Sequence, residues 1–336
     1  MSRHISMGIS AFFSSPFGMF IVESFFHALI AAIIIGQAIR SLMIEDPSEK
    51  QRLRFIVILL PAFSFPLYQM INPERGSLYF RLGALFDSQR WLSMELGGVV
   101  PLGIFFILIF LVVSIIFVFQ ELLPIIRHMF ESKENDFEVR EPDDDSIVKR
   151  ALQKLPAERP DVYIFEDFNH VLFSTTGNHP AIYISDGFAG DLNEDQMEAA
   201  LAHEFAHISR SRRPILILVY LFRVLMFFNP VVLLEFRKIV HDEEKICDDM
   251  AVSISEKPVA LAETLRKQFS GTDSPDLVKP GKIADIKETL KDYSHNVHIE
   301  NRIKRLNEGL SGRQKRGWPP FILTVIIIII LNYFIV

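Results

Sequence analysis

The sequence predicts a mostly helical membrane protein carrying one small α+β domain built around a metal site. Three observations carry that prediction. Hydrophobic residues make up 49% of the 336-residue chain, phenylalanine alone numbers 30, and the mean hydropathy is +0.25, which is high for a soluble domain. Apolar runs recur at 17–39, 54–71, 99–119 and 318–336, each close to the ~20 residues a helix needs to cross a bilayer. Between the third and last runs stands His203-Glu204-Phe205-Ala206-His207, an HExxH pattern with strand-like runs upstream of it.

Residues 1–122 therefore read as a membrane region with three spanning helices. The run 17–39 is too long for a signal-peptide core and lacks a cleavage site. Inside it Glu23 and His27 lie four apart on one helical face. Ionisable residues within a membrane are costly and often functional, but a satisfied packing pair carries at least equal weight. The run 54–71 contains Pro61 and Pro66 and is expected to span with a kink. The run 99–119 is the cleanest span.

An acidic linker is expected over 123–147, ending Glu141-Pro142-Asp143-Asp144-Asp145, and a metallopeptidase-like domain over 148–313. Within that domain, Asp161–Phe165 (DVYIF) and Ala181-Ile182-Tyr183-Ile184-Ser185 read as short strands bounded by turn signals. The second, so close to the metal helix, is a candidate edge strand that holds an extended peptide; a purely structural strand weighs equally.

The metal helix has local support. Asn193 and Gln196 form a capping box, and 197–207 lacks Gly, Pro and β-branched residues. At 3.6 residues per turn, His203 and His207 project from one face and can share an ion, and Glu204 can reach a water on it. A zinc peptidase needs three protein ligands and one open position. Downstream, Glu244 can supply the third, and Asp248, one turn on, can hold a ligating histidine by its other ring N–H. The cofactor expected is one Zn²⁺.

The apolar run 214–236 would pass for another span by hydropathy. One crossing would leave Glu244 about 30 Å from the histidines, whereas ligands of one zinc lie within about 2 Å of it. Arg223 sits mid-run and Asn229-Pro230 breaks it. The expectation is thus a re-entrant or surface-lying hairpin over 214–236, with four spans in all. Lys and Arg concentrate on the side of the metal domain, which orients that domain to the cytosol of a bacterial cytoplasmic membrane, with both termini outside.

Net charge is −6, and no basic patch interleaves with aromatics, so direct nucleic-acid binding is not expected. The one cysteine, Cys247, excludes an internal disulfide and fits a reducing compartment. Its acidic surroundings disfavour the thiolate, so it reads as packing rather than as a nucleophile.

His203-Glu204-x-x-His207, Phe228-Asn229-Pro230 and Glu244-x-x-Cys247-Asp248, in that order, resemble the membrane zinc peptidases typified by the BlaR/MecR antibiotic sensor-transducers. More distantly the chain is similar to the HtpX and CaaX-prenyl types, which often end the domain with an element like Arg302-Ile303-Lys304-Arg305-Leu306. The resemblance implies a gluzincin fold with His203, His207 and Glu244 as zinc ligands, Glu204 as catalytic base and Asp248 behind the ligands. The sensors carry an extracellular ligand-binding domain after their last helix. This chain stops at Val336, so sensing of β-lactams through such a domain is not expected.

The function expected is hydrolysis of peptide bonds in a protein or peptide substrate, a transcriptional repressor or a membrane protein, at the cytosolic face of the lipid bilayer. Tyr293, His295, His298 and Arg302 are the candidate donors to the oxyanion. The alternatives are a quality-control protease of the HtpX type and a non-catalytic, metal-stabilised scaffold. The intact Glu204 counts against the scaffold, since a structural zinc site needs no base and is usually closed by a fourth protein ligand.

Overall fold

Proline and a capping side chain start each of the first two long helices, α1 (Pro16–Ser41) and α2 (Pro47–Ile71). Ser15 and Asp46 accept hydrogen bonds from first-turn N–H groups, and Pro16 and Pro47 stand where no N–H is needed. The computed structural model describes residues 12–13, 15–97, 100–123, 138–156, 159–175, 179–211, 214–270, 295–309 and 317–335. They divide into two units. The first comprises Met1–Leu123, Ile215–Asp242 and Gln314–Val336; the second, Pro124–Pro214 and Glu243–Arg313.

After α2 the chain passes through α3 (Leu78–Leu82), α4 (Ser88–Ser93) and a small hairpin of β1 (Glu95–Leu96) with β2 (Val100–Pro101). Next comes α5 (Gly103–Phe117), which continues as a π turn over Val118–Leu122. The second unit begins with β3 (Val139–Arg140), α6 (Ile147–Lys154), β4 (Asp161–Phe165), β5 (Leu172–Thr175) and β6 (Ala181–Ser185). It continues with α7 (Asp186–Asp191) and α8 (Glu194–Ser211). Then follow α9 (Pro214–Leu225), α10 (Pro230–Ser255), α11 (Pro258–Ser270), α12 (His295–Asn307) and α13 (Trp318–Tyr333).

In the first unit, α1, α2 and α5 with its π turn have 26, 25 and 20 residues and are long and apolar enough to cross a membrane. The expected fourth span is a 16-residue helix, α13. At 1.5 Å per residue it reaches about 24 Å, short of the ~30 Å hydrocarbon core. So three described helices, not four, have spanning length. The second of them starts at Pro47, seven residues before the apolar run, because Asp46 and Pro47 nucleate it. The third starts only at Gly103, because Val100–Pro101 is paired with Glu95–Leu96.

Glu23 and His27 are satisfied by other partners rather than by each other. Arg75 donates to Glu23 Oε2 at 3.0 Å and to the carbonyls of Tyr333 and Ile335, and His27 Nδ1 meets Ser64 Oγ at 2.6 Å. This is the packing reading: a guanidinium caps the last carbonyls of α13, where a cation is favoured.

The run 214–236 divides as its Asn229-Pro230 suggested. Asn229 Oδ1 accepts from the N–H groups of Val231 and Val232 at 3.0 and 3.4 Å and so caps α10. The ring of Phe236 on α10 lies 6.2 Å from that of Tyr220 on α9, and the guanidinium of Arg223 stands 5.9 Å over it. The first turns of α10 therefore double back along α9.

In the second unit a four-stranded mixed sheet runs β3-β4-β6-β5, with β4 parallel to β6 and the other pairs antiparallel. Val162, Ile164, Leu172, Ile182 and Ile184 belong to one buried cluster with Val148, Ala151, Met197, Leu201, Leu261 and Ile303 from α6, α8, α11 and α12. Two expectations are corrected here. Ala181–Ser185 is an interior strand, hydrogen-bonded to β4 on one side and β5 on the other, so it cannot take an added strand; the terminal strand beside it is β5. The acidic stretch 123–147 is not all linker, since Val139 and Arg140 pair with Phe165 and Ile164 as β3; its residues 124–137 lie outside the described residues.

Candidate metal centre

The helix α8 starts as its sequence dictates. Asn193 Oδ1 accepts from the N–H of Gln196 at 2.9 Å, and Gln196 Oε1 accepts from the N–H of Asn193 at 3.2 Å. Met197, Ala199, Ala200, Leu201, Ala202 and Ala206 are buried against the sheet cluster or beside it. That burial fixes the rotation of α8, and the rotation sets where the polar residues point. His203 and His207 come out on one face, with Nε2 atoms 3.1 Å apart.

The later turns of α10 bring the acidic residues. Arg210, at the end of α8, forks onto Glu243, with Nη2 2.6 Å from Oε2, and pins the next residue near the histidines. Glu244 Oε1 lies 3.6 Å from His207 Nε2, and Oε2 lies 3.7 Å from His203 Nε2. Bonds of 2.0–2.1 Å in a tetrahedron put neighbouring ligand atoms about 3.3 Å apart. One donor atom from each of His203, His207 and Glu244 falls within 4.8 Å of the others. Two imidazoles and a carboxylate at these spacings fit a zinc ion and leave a fourth position for water or substrate.

A further layer holds these groups. Asp248, fully buried, puts Oδ1 3.2 Å from His203 Nδ1, at ion-pair distance though not aligned for a straight hydrogen bond. From α12, Arg302 Nε and Nη2 donate to Asp248 at 2.8 and 2.7 Å, and Nη1 donates to Glu244 Oε2 at 2.8 Å. Its Nη2 also stands 3.4 Å from His203 Nε2. Cys247 Sγ faces His207 Nδ1 at 3.5 Å. On the strand side, the hydroxyl of Ser174 in β5 donates to Glu204 Oε2 at 2.7 Å.

The charges follow from this packing. Burial works to raise the pKa of Asp248, but the Arg302 charge and its hydrogen bonds, with His203 beside it, hold it at about 2. Burial likewise opposes ionisation of Glu244, and Arg302 and the histidines carry it well below the usual carboxylate range. Burial would lower the pKa of His203; the carboxylates of Asp248 and Glu244 beside it outweigh that and lift the value to about 9. Burial, then the charges of Glu244 and Glu243, push the Cys247 thiol up, so it stays protonated and inert.

Of the sequence-predicted residues, the structure brings His203, His207, Glu244, Asp248 and Arg302 together, and Glu204, next to His203 on α8, meets Ser174. Arg302, a candidate donor to an oxyanion, donates from Nε, Nη1 and Nη2 to Asp248 and Glu244, which places it as a clamp on those carboxylates. His298, on the same helix, is half-buried, and burial with the nearby Lys245 charge lowers its pKa. Tyr293 and the side chain of His295 lie outside the described residues. Sequence reasoning missed Ser174. The signal was a polar residue on the core-facing phase of a strand, two after Leu172, where an apolar one is expected.

A sequence profile of the family described as BlaR1 peptidase M56 matches residues 93–274, more than half of the chain. Over 66 residues the chain is 36% identical to Protease HtpX of Haemophilus ducreyi, covering 19% of this chain and 23% of that protein. The chain thus spans about a quarter of the length of the curated relative it matches.

Proposed function

Because the chain belongs to the family of BlaR1-type M56 peptidases, a family of membrane metallopeptidases, we propose that it is a zinc-dependent endopeptidase cutting protein substrates at the cytosolic face of the membrane. One observation carries the reading: one donor atom from each of His203, His207 and Glu244 lies within 4.8 Å of the others, with buried Asp248 against His203 and Glu204 next to His203 in the chain. His203, His207 and Glu244 hold the ion and Glu204 is the base. Zinc in this site would supply Lewis acidity, polarising the scissile carbonyl and bringing the pKa of water to about 7.

The chain's own residues do the rest. Glu204 takes a proton from the attacking water and passes it to the leaving amine. Asp248 fixes the ring of His203, and Arg302 engages Glu244 Oε2, leaving Oε1 to face the ion. The substrate lies extended beside Ser174 and Thr175 on the terminal strand β5, next to Glu204. The surplus of Lys and Arg in the segments beside the metal domain supports the cytosolic orientation, and a regulatory substrate such as a repressor fits it.

The identity to Protease HtpX supports a second reading, in which the substrates are membrane proteins cut in the manner of that enzyme. Glu204→Gln in the full chain tests both. It should keep one zinc per chain and lose cleavage, and substrates trapped on it, identified by mass spectrometry, would divide repressor-like from membrane targets. Full cleavage by Glu204→Gln refutes both readings.

A further inference from the structure

We propose that Ser174 is a positioning residue for the base: its hydroxyl holds one oxygen of Glu204 so that the other faces the attacking water. The inference rests on the peptidase reading for its chemical meaning, but the contact itself stands independently of it.

The strand dictates where Ser174 points. In β5, Leu172 and Ser174 share a phase, and Leu172 is in the buried cluster between sheet and helices. Ser174 pairs with Ile182 across the sheet, and Ile182 is fully buried on that same side. Ser174, half-buried, therefore turns its hydroxyl to the side of the sheet that packs on α8, where a polar group needs a partner. It meets Glu204 Oε2 at 2.7 Å, a length typical of a hydrogen bond to an ionised carboxylate. Glu204 is itself buried, and among the described residues no other side chain is hydrogen-bonded to it. Leu201 and Ala202 pack α8 on one side of Glu204, but packing of the helix leaves the last torsion of a glutamate broad. A single directional contact on Oε2 fixes that torsion.

The consequence is chemical. A carboxylate serves as base when one oxygen is presented along the path of the proton, and loss of alignment by about 1 Å can cost two orders of magnitude. A hydroxyl suits the second oxygen because it donates to the carboxylate and can turn to accept once Glu204 carries the proton. No bond is made or broken at Ser174; the proton passes from water to Glu204 and on to the amine. The same hydroxyl joins β5, beside which the substrate is proposed to lie, to the group that must meet the scissile bond.

The test uses the full chain in lipid nanodiscs, labelled with ¹³C at glutamate side-chain carboxyls. The infrared carboxylate band removed by Glu204→Gln belongs to Glu204. In Ser174→Ala that band should shift, while Ser174→Thr, which keeps the hydroxyl and suits a strand, should leave it in place. Both variants should bind zinc as the parent does. With fluorescein-labelled, unfolded casein as probe, Ser174→Ala should lower kcat by about tenfold or more with KM little changed, and Ser174→Thr should recover most of the loss. A Glu204 band unmoved by Ser174→Ala overturns the proposal, as does an equal kcat loss in Ser174→Thr. A moved band together with undiminished cleavage by Glu204→Gln would instead keep the contact and overturn the peptidase reading.

Discussion

Replacing Asp248 with alanine should damage stability and metal binding by two routes that can be separated. Asp248 is fully buried, and both its oxygens accept from Arg302, at 2.7 and 2.8 Å. Removing one partner of a buried pair leaves a charge without compensation, at a cost of about 3–5 kcal/mol. Arg302 keeps Glu244 as a neighbour, so the low end is expected. For a unit of this size, each kcal/mol lowers Tm by roughly 2–4 °C, and the metal-free full chain in nanodiscs should melt roughly 6–12 °C lower by circular dichroism. The second route is through His203, whose Nδ1 has Asp248 Oδ1 3.2 Å away. Loss of such an outer partner weakens metal binding about 10–100-fold. The double variant Asp248→Ala/Arg302→Met discriminates the routes, because it removes both buried charges. It should recover most of the lost Tm yet keep the weakened zinc affinity, since His203 still lacks its partner. Recovery of both would mean that Asp248 acts only through the fold. A single variant melting within about one degree of the parent would refute the buried-pair argument altogether.

Three further outcomes follow from the same electrostatics. In the metal-free protein His203 stays protonated up to about pH 9, so between pH 6.5 and 9 zinc must displace that proton; calorimetry in buffers of different ionisation enthalpy should find about one proton released per ion, and affinity should rise close to tenfold per pH unit, flattening above about pH 9. The raised pKa also has a stability sign: the gain from protonated His203 is full below 6.5 and is lost as pH climbs through about 9, so the metal-free fold should weaken over that window. Cys247, fully buried and kept as a thiol by burial and by Glu244 and Glu243, should resist iodoacetamide at pH 8 in the folded chain and react on unfolding; prompt alkylation of the native protein, seen by intact mass, would contradict that assignment.

What the sequence made legible was local or forced by geometry. The capping pair Asn193 and Gln196, the shared face of His203 and His207, and the i, i+4 placement of Glu244 and Asp248 all follow from helical periodicity. The division of 214–236 followed from a distance argument, and the break at Asn229-Pro230 has a capping side chain to enforce it. Strand order was not legible. Leu172–Thr175 is four residues long, two of them hydroxylic, too short for alternation to declare itself. Without it Ala181–Ser185 looked like the last strand before the metal helix and hence an edge. Nor was the fourth span legible as a shorter helix, since hydropathy counts residues 334–335 that follow Tyr333, where the helix ends on the carbonyls held by Arg75.

Arg302 marks the point where periodicity gives out and charge balance takes over. Glu244 and Asp248 both face His203, at 3.7 and 3.2 Å, and Glu204 follows it in the chain. On α8 the guanidinium of Arg210 goes to Glu243. A cation must come from elsewhere in the chain, and α12 delivers it, seated by Ile299, Ile303 and Leu306 in the same buried cluster as Leu201 and Leu261. Arg302 sits on Asp248 and on Glu244 Oε2, and so offsets the charge of those two carboxylates. On the peptidase reading its contribution is to metal retention rather than to proton transfer, a division that the two variants at Asp248 and the two at Ser174 would pull apart.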